Sequence, residues 1–337
     1  MSSADAVAGV LWVGLTLYAV FGGADFGSGF WSLVAGGGER SQRARALVDR
    51  AIGPVWEANH VWLIFVLVML WTAFSEAFAS IMSTLFIPLS LAALGIVLRG
   101  AGFAFQRVAG TQAGRRLAEI AFALSSVVTP FFMGTVAGAI ASGRVPIGNA
   151  KGDPITSWLN PLSVLIGVLF VATGAYLAAV FLVSDARRFG DPGLERYFAT
   201  RALWAAVVTG VIALAGIFLL RSDARYLYDG LTSEGLPFVL VSAACGAGAL
   251  ALLARHTRRA VRPLAVGALV AVVWGWGAAQ YPYLLPEKLT IEDGAGASTT
   301  LTALLVVFGV AVVVVLPALA LLYTLDQRSL LEEEARR

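Results

Sequence analysis

The sequence predicts an all-α, polytopic membrane protein of about nine transmembrane helices, with its N-terminus outside and its C-terminus in the cytoplasm. Composition is the first reason: of 337 residues, 58% are hydrophobic and only 13% charged, and mean hydropathy is +0.81. A soluble domain carries roughly a quarter of its residues as charges. The second reason is that the apolar residues fall in nine blocks of about the length a lipid-spanning helix needs. The third is that basic residues alternate between the ends of those blocks.

The runs cover 6–33, 51–72, 77–98, 117–141, 159–183, 202–220, 237–253, 263–280 and 301–324. Each must be helical, because an open strand would leave backbone groups unpaired in lipid. Arginines cluster after the first, third, fifth and seventh runs and in the C-terminal tail, nineteen basic residues on one side. The other side has five: Arg144, Lys151, Arg221, Arg225 and Lys288. The positive-inside rule makes the majority side cytoplasmic. The longest connections are about 17 to 20 residues, so no soluble domain is inserted and the chemistry must lie in the bilayer or at its edges.

A net charge of +3 and a pI near 9.2 are then explained by orientation. Nucleic acid is not expected, since no basic run is interleaved with aromatics. The single cysteine, Cys245, excludes an internal disulfide and a cysteine-based metal site. No basic leader with a cleavage site precedes the first run, which is expected to be retained.

Ionisable residues within apolar runs are costly and mark candidate sites. Asp25 lies in Gly22-Gly23-Ala24-Asp25-Phe26-Gly27-Ser28-Gly29, late in the first run. Glu57 lies in Trp56-Glu57-Ala58-Asn59-His60-Val61-Trp62, early in the second. At about 1.5 Å per residue both carboxyls are expected roughly 9–12 Å below the cytoplasmic surface. Arg99, placed at the end of the third run, is the expected counter-ion. Two readings stand side by side: buried carboxyls exchanging protons with cytoplasmic water, or a static cluster with Asn59 and Arg99 that holds helices together. Intramembrane carboxyls with glycine breaks also occur in proton-coupled secondary transporters, which is the alternative function.

Glu57 and His60 share a helix face in a Glu-x-x-His spacing used by di-iron bundles. Those need a second such pair, and the only other histidine is His256, in a basic loop. Met69, Met82 and Met133 are scattered in apolar segments and suit packing rather than haem ligation. The residues therefore offer no cofactor or metal site of the chain's own.

Taken together, these motifs resemble subunit II of cytochrome bd-type quinol oxidases. In that family the first helix ends in an aspartate-and-glycine motif like Ala24-Asp25-Phe26-Gly27-Ser28-Gly29. The second carries Trp-Asp-Gly-Asn-Gln/Glu-Val-Trp-Leu-Ile, similar to the run from Trp56 to Ile64 here. The third ends in an arginine before Gly-Phe, like Arg99-Gly100-Ala101-Gly102-Phe103. Further matches are Leu159-Asn160-Pro161, Gly174-Ala175-Tyr176-Leu177, Arg201-Ala202, and Tyr281-Pro282-Tyr283-Leu284-Leu285-Pro286 followed by Leu289-Thr290 and Ala297-Ser298.

The resemblance implies two four-helix bundles, 1–142 and 155–282, with a ninth helix at 299–325. It implies a partner, subunit I, that holds haem b, haem d and the quinol site, with this chain as the pseudo-symmetric second half. The complex would oxidise quinol and reduce oxygen to water in the bacterial cell membrane. Small single-span subunits, and a lipid or structural quinone, are further partners of such complexes. A proton path drawn from Asp25, Glu57, Asn59, His60 and Trp62 is implied, with Arg99 as charge partner. The chain departs from the pattern at Gly22, where many relatives have an acid, at Ala58, at His60, and in having Glu rather than Asp at 57.

Overall fold

The structure, a computed structural model, describes residues 2–52, 56–108, 110–255 and 260–327. Helix α1 (Ser3–Leu33) opens at an N-cap, Ser2, whose side chain accepts from the Asp5 amide while Asp5 reaches back to the Ser2 amide. There follow α2 (Glu39–Ile52), α3 (Trp56–Ala73), α4 (Ser75–Thr84), α5 (Phe86–Val108), α6 (Gln112–Ala141), α7 (Pro161–Arg188) and α8 (Pro192–Asp223). The chain finishes with α9 (Arg225–Thr232), α10 (Leu236–Ala254), α11 (Val261–Gln280), a small hairpin of β1 (Tyr283–Leu285) and β2 (Leu289–Thr290), and α12 (Ser298–Gln327). Among the described residues eight helices are long and apolar enough to cross a membrane, and the bent pair α3–α4 brings the number to nine when it is counted as one crossing.

That pair corrects the third expected run. Residues 77–98 do not form one crossing: α3 and α4 meet at 118°, α4 ends at Thr84, and the crossing helix is Phe86–Val108. Apolar residues of α4 (Ala77, Ile81) are buried in the chain's own core with Ala4, Val7, Phe74, Leu285 and Leu301. A run reads as apolar whether protein or lipid covers it. Arg99 is consequently not a terminus. It stands nine residues inside the end of α5, about 13 Å along the axis.

The basic segment after α1 is also more ordered than a loop. Ala44, Leu47 and Val48 of α2 share one face and pack on Leu182, Val183, Ala186, Leu194 and Phe198 of α7 and α8. Arg43 of α2 pairs with Asp191, the N-cap of α8, which accepts from the amides of Gly193 (3.1 Å) and Leu194 (3.0 Å). The Leu194 amide first, then the Arg43 guanidinium, hold the Asp191 carboxyl below its ordinary 3.8. A carboxyl lowered on folding stabilises above its unfolded pKa, and that stability is lost as pH falls through the folded value. Acidifying from pH 5 to below 3.8 should therefore lower the protection factors of amides in the first turn of α8, taken relative to intrinsic exchange at each pH. Asp191→Asn should flatten that pH dependence, and protection in the first turn that does not change with pH in the unaltered chain would show the cap to be unimportant.

Helices α1, α6 and α7 form the centre, with α3 and α12 against α1, α5 against α6, α8 against α7, and α10 against α11. Without a hydrophobic force between helices in lipid, close backbone approach must hold them. Glycines provide it. A Cβ on Gly27 would lie 1.9 Å from the Gly174 carbonyl oxygen, and one on Gly134 would lie 2.7 Å from the Gly167 Cα. At the periphery only 11% of the α8 span and 6% of the α12 span are buried. Their outer faces, with Trp204, Phe218, Val307 and Val313 exposed, are suited to lipid or another apolar chain.

Candidate functional site

On α1, Tyr18, Gly22, Asp25 and Gly29 follow one another at intervals of four, three and four residues and form a single buried stripe. Asp25 stands eight residues from the end of α1, about 12 Å along the axis, and Arg99 on α5 lies at matching depth. Both side chains are 1% exposed.

Arg99 places its planar fork on Asp25. Nη2 donates to Oδ1 at 2.7 Å and Nε to Oδ2 at 3.2 Å. Nη2 also donates to the Asp25 carbonyl at 2.8 Å, and Nη1 to Ser126 Oγ on α6 at 2.8 Å. Ser126 in turn donates to the Phe122 carbonyl. The rings of Phe122 and Phe26 flank the guanidinium, with centroids 4.3 and 4.9 Å from its carbon. The charges are thus desolvated but met on every polar side, the condition under which a buried pair can persist. Gly29 makes the approach possible: a Cβ there would lie 2.0 Å from Ser126 Oγ and 3.1 Å from Arg99 Nη1.

The stripe reaches α3 through Phe26. The His60 ring meets the Phe26 ring edge-on, centroids 5.8 Å apart. His60 is half-buried. Glu57 and Asn59 belong to α3, and their side chains lie outside the described residues. Trp62 is not brought to the pair. Its ring packs edge-on with Phe65, which touches Phe308 of α12.

Among the described residues no cluster of three or more His, Cys, Asp or Glu could hold a metal. Met69 is buried in the core against α4, where its thioether serves packing. The sequence reading missed Ser126, Phe122 and Tyr18. A serine in an apolar helix usually bonds its own preceding turn, as Ser125 does here to Phe122, so nothing in the sequence marks Ser126 as a ligand of arginine. The Tyr18 ring lies against Gly22, and its hydroxyl is enclosed with no hydrogen-bond partner.

The family model for cytochrome bd terminal oxidase subunit II matches residues 4–326. A Bacillus subtilis protein assigned as a cytochrome bd menaquinol oxidase subunit II is 23% identical over 340 residues, 96% of each chain. The cytochrome bd-I ubiquinol oxidase subunit 2 of Escherichia coli is 27% identical over 225 residues, 65% of this chain and 57% of that protein. Among solved structures, a chain of the bd oxidase from Geobacillus thermodenitrificans superposes with a TM-score of 0.77 at 27% identity, over 97% of this chain and 99% of that one.

Proposed function

The chain belongs to the cytochrome bd terminal oxidase subunit II family, and from that premise we propose that it pairs with a haem-bearing subunit I and supplies part of the cytoplasmic proton path. It is a subunit of a quinol-oxidising, oxygen-reducing complex. In this proposal haem b, haem d and the quinol site belong to the partner. Residues 1–142 and 155–282 form the two four-helix halves, 299–325 the ninth helix, and the arginine-rich face looks into the cytoplasm of a bacterial cell.

The observation that carries the proton reading is the contact of His60 with Phe26 beside the Asp25–Arg99 pair. His60 follows Glu57 and Asn59 on α3, and in this reading the segment they share leads to a fixed charge about 12 Å inside the end of α1. We assign the two acids different parts. Asp25 has both oxygens and its carbonyl engaged by Arg99, which suits a standing charge that orders the site. Glu57 is assigned as the group that exchanges protons, with Asn59, His60 and Trp62 as the further members of the path. No feature of the site favours a transporter over this assignment.

Purifying the tagged chain from native membranes tests the partnership. A reduced-minus-oxidised spectrum with haem b and haem d bands, together with a second polytopic chain, is the expected result. A colourless chain purified alone would contradict it.

A further inference from the structure

The connection 142–160 between α6 and α7, the start of α7 and Lys288 line an open cleft of about 570 Å³ on the membrane face opposite the arginine-rich one. Five basic residues of the chain lie on that face by the sequence pattern, and three of them, Arg144, Lys151 and Lys288, line this cleft. Against three cations the lining has one carboxylate, Asp153. Its Oδ1 is engaged by the amides of Ile155 (2.9 Å) and Thr156 (2.6 Å). Lys288 Nζ donates to the carbonyls of Gly143 (2.5 Å) and Val145 (3.4 Å) and so fixes the backbone on either side of Arg144.

Arg144 itself is not satisfied. Its Nη1 is enclosed and has no hydrogen-bond partner among the described residues. An enclosed guanidinium nitrogen without a partner is costly, and such a group marks a missing ligand, ion or water. The cleft also contains Asn160 and Pro161, the N-cap and first residue of the 28-residue helix α7, whose dipole adds positive potential. At the rim Leu159 is 54% exposed and neighbouring Ile155 52%. They give the cleft an apolar border where α7 begins its crossing.

We propose that this cleft binds a phosphate oxyanion, presented either by an anionic phospholipid or as free inorganic phosphate. Arg144 is the ligand, because its fork matches two oxygens of a phosphate. Lys151, exposed and also lining the cleft, adds a second cation to the anion, while Lys288 holds the loop. The apolar rim suits the glycerol and acyl portion of a lipid. The site is separate from the Asp25–Arg99 pair and does not depend on the proton path.

The test is equilibrium binding to the purified complex of radiolabelled dioctanoyl phosphatidylglycerol and, separately, of radiolabelled inorganic phosphate. Unaltered complex is compared with Arg144→Gln and Lys151→Gln. Loss of a charge-assisted hydrogen bond should weaken the anion about tenfold or more in Arg144→Gln, and severalfold in Lys151→Gln. Lys151 is on the surface, so its replacement leaves folding intact. Phosphatidylglycerol lost in both variants identifies a lipid site. Phosphate bound as tightly as the lipid, and lost in both variants, identifies a soluble anion. Variants that bind both probes as the unaltered complex does overturn the proposal.

Discussion

Arg99→Leu is expected to leave little assembled complex in the membrane. The substitution strands the Asp25 carboxylate, 1% exposed, and removes the four hydrogen bonds that Arg99 donates to Asp25 and Ser126. Breaking one partner of a buried pair costs about 3–5 kcal/mol. That is a large share of the stability of a typical domain. Arg99→Lys should rescue poorly, because an ammonium cannot reproduce a fork that spans both Asp25 oxygens and Ser126. Asp25→Leu combined with Arg99→Leu should recover part of the loss, since replacing both charges by apolar groups is often nearly neutral. The readouts are haem yield per membrane protein and thermal inactivation of the complex. Unchanged yield for Arg99→Leu alone would show that the pair holds nothing together.

Gly27→Ala should be nearly as damaging although it adds one methyl group. The new Cβ would sit 1.9 Å from the Gly174 oxygen, 2.2 Å from its carbonyl carbon and 2.7 Å from the Ala175 nitrogen. All three are backbone atoms and cannot rotate aside, so α1 and α7 must part. The contact is near the Trp31 indole, which donates to the Ala175 carbonyl at 2.7 Å. A cost of about 3 kcal/mol or more follows from overpacking of this kind. Gly246→Ala on α10 is the control: no atom lies within 4 Å of its would-be Cβ. There the substitution should be neutral or stabilise by up to about 1 kcal/mol. Similar melting shifts for the two variants would contradict the close crossing.

The crossings and the asymmetry of charge were legible in the sequence because lipid imposes them directly. A spanning helix must be apolar for about twenty residues, and arginine must stay at an end unless paired. The same logic misled at 77–98. There the apolar face of α4 is covered by protein, and Arg99 looked like a terminus because its partner lies 74 residues away. The signal for α2 was present, with Ala44, Leu47 and Val48 at helical spacing, yet four arginines within it read as a loop. Asp25 and Arg99 stood out as charges in apolar surroundings. Ser126, Phe122 and Gly29 did not, because their importance arises only where α1, α5 and α6 meet.

The most direct measurement for the proton proposal is quinol-driven oxygen consumption by assembled complex carrying Glu57→Gln. The amide keeps nearly the same shape and cannot exchange a proton, so turnover should fall at least tenfold, about 1.4 kcal/mol in barrier, while haem content stays normal. Normal turnover with normal haem content would contradict the assignment and leave Glu57 as a structural charge. Loss of the complex itself would contradict it equally, by placing Glu57 with Asp25 in the anchor.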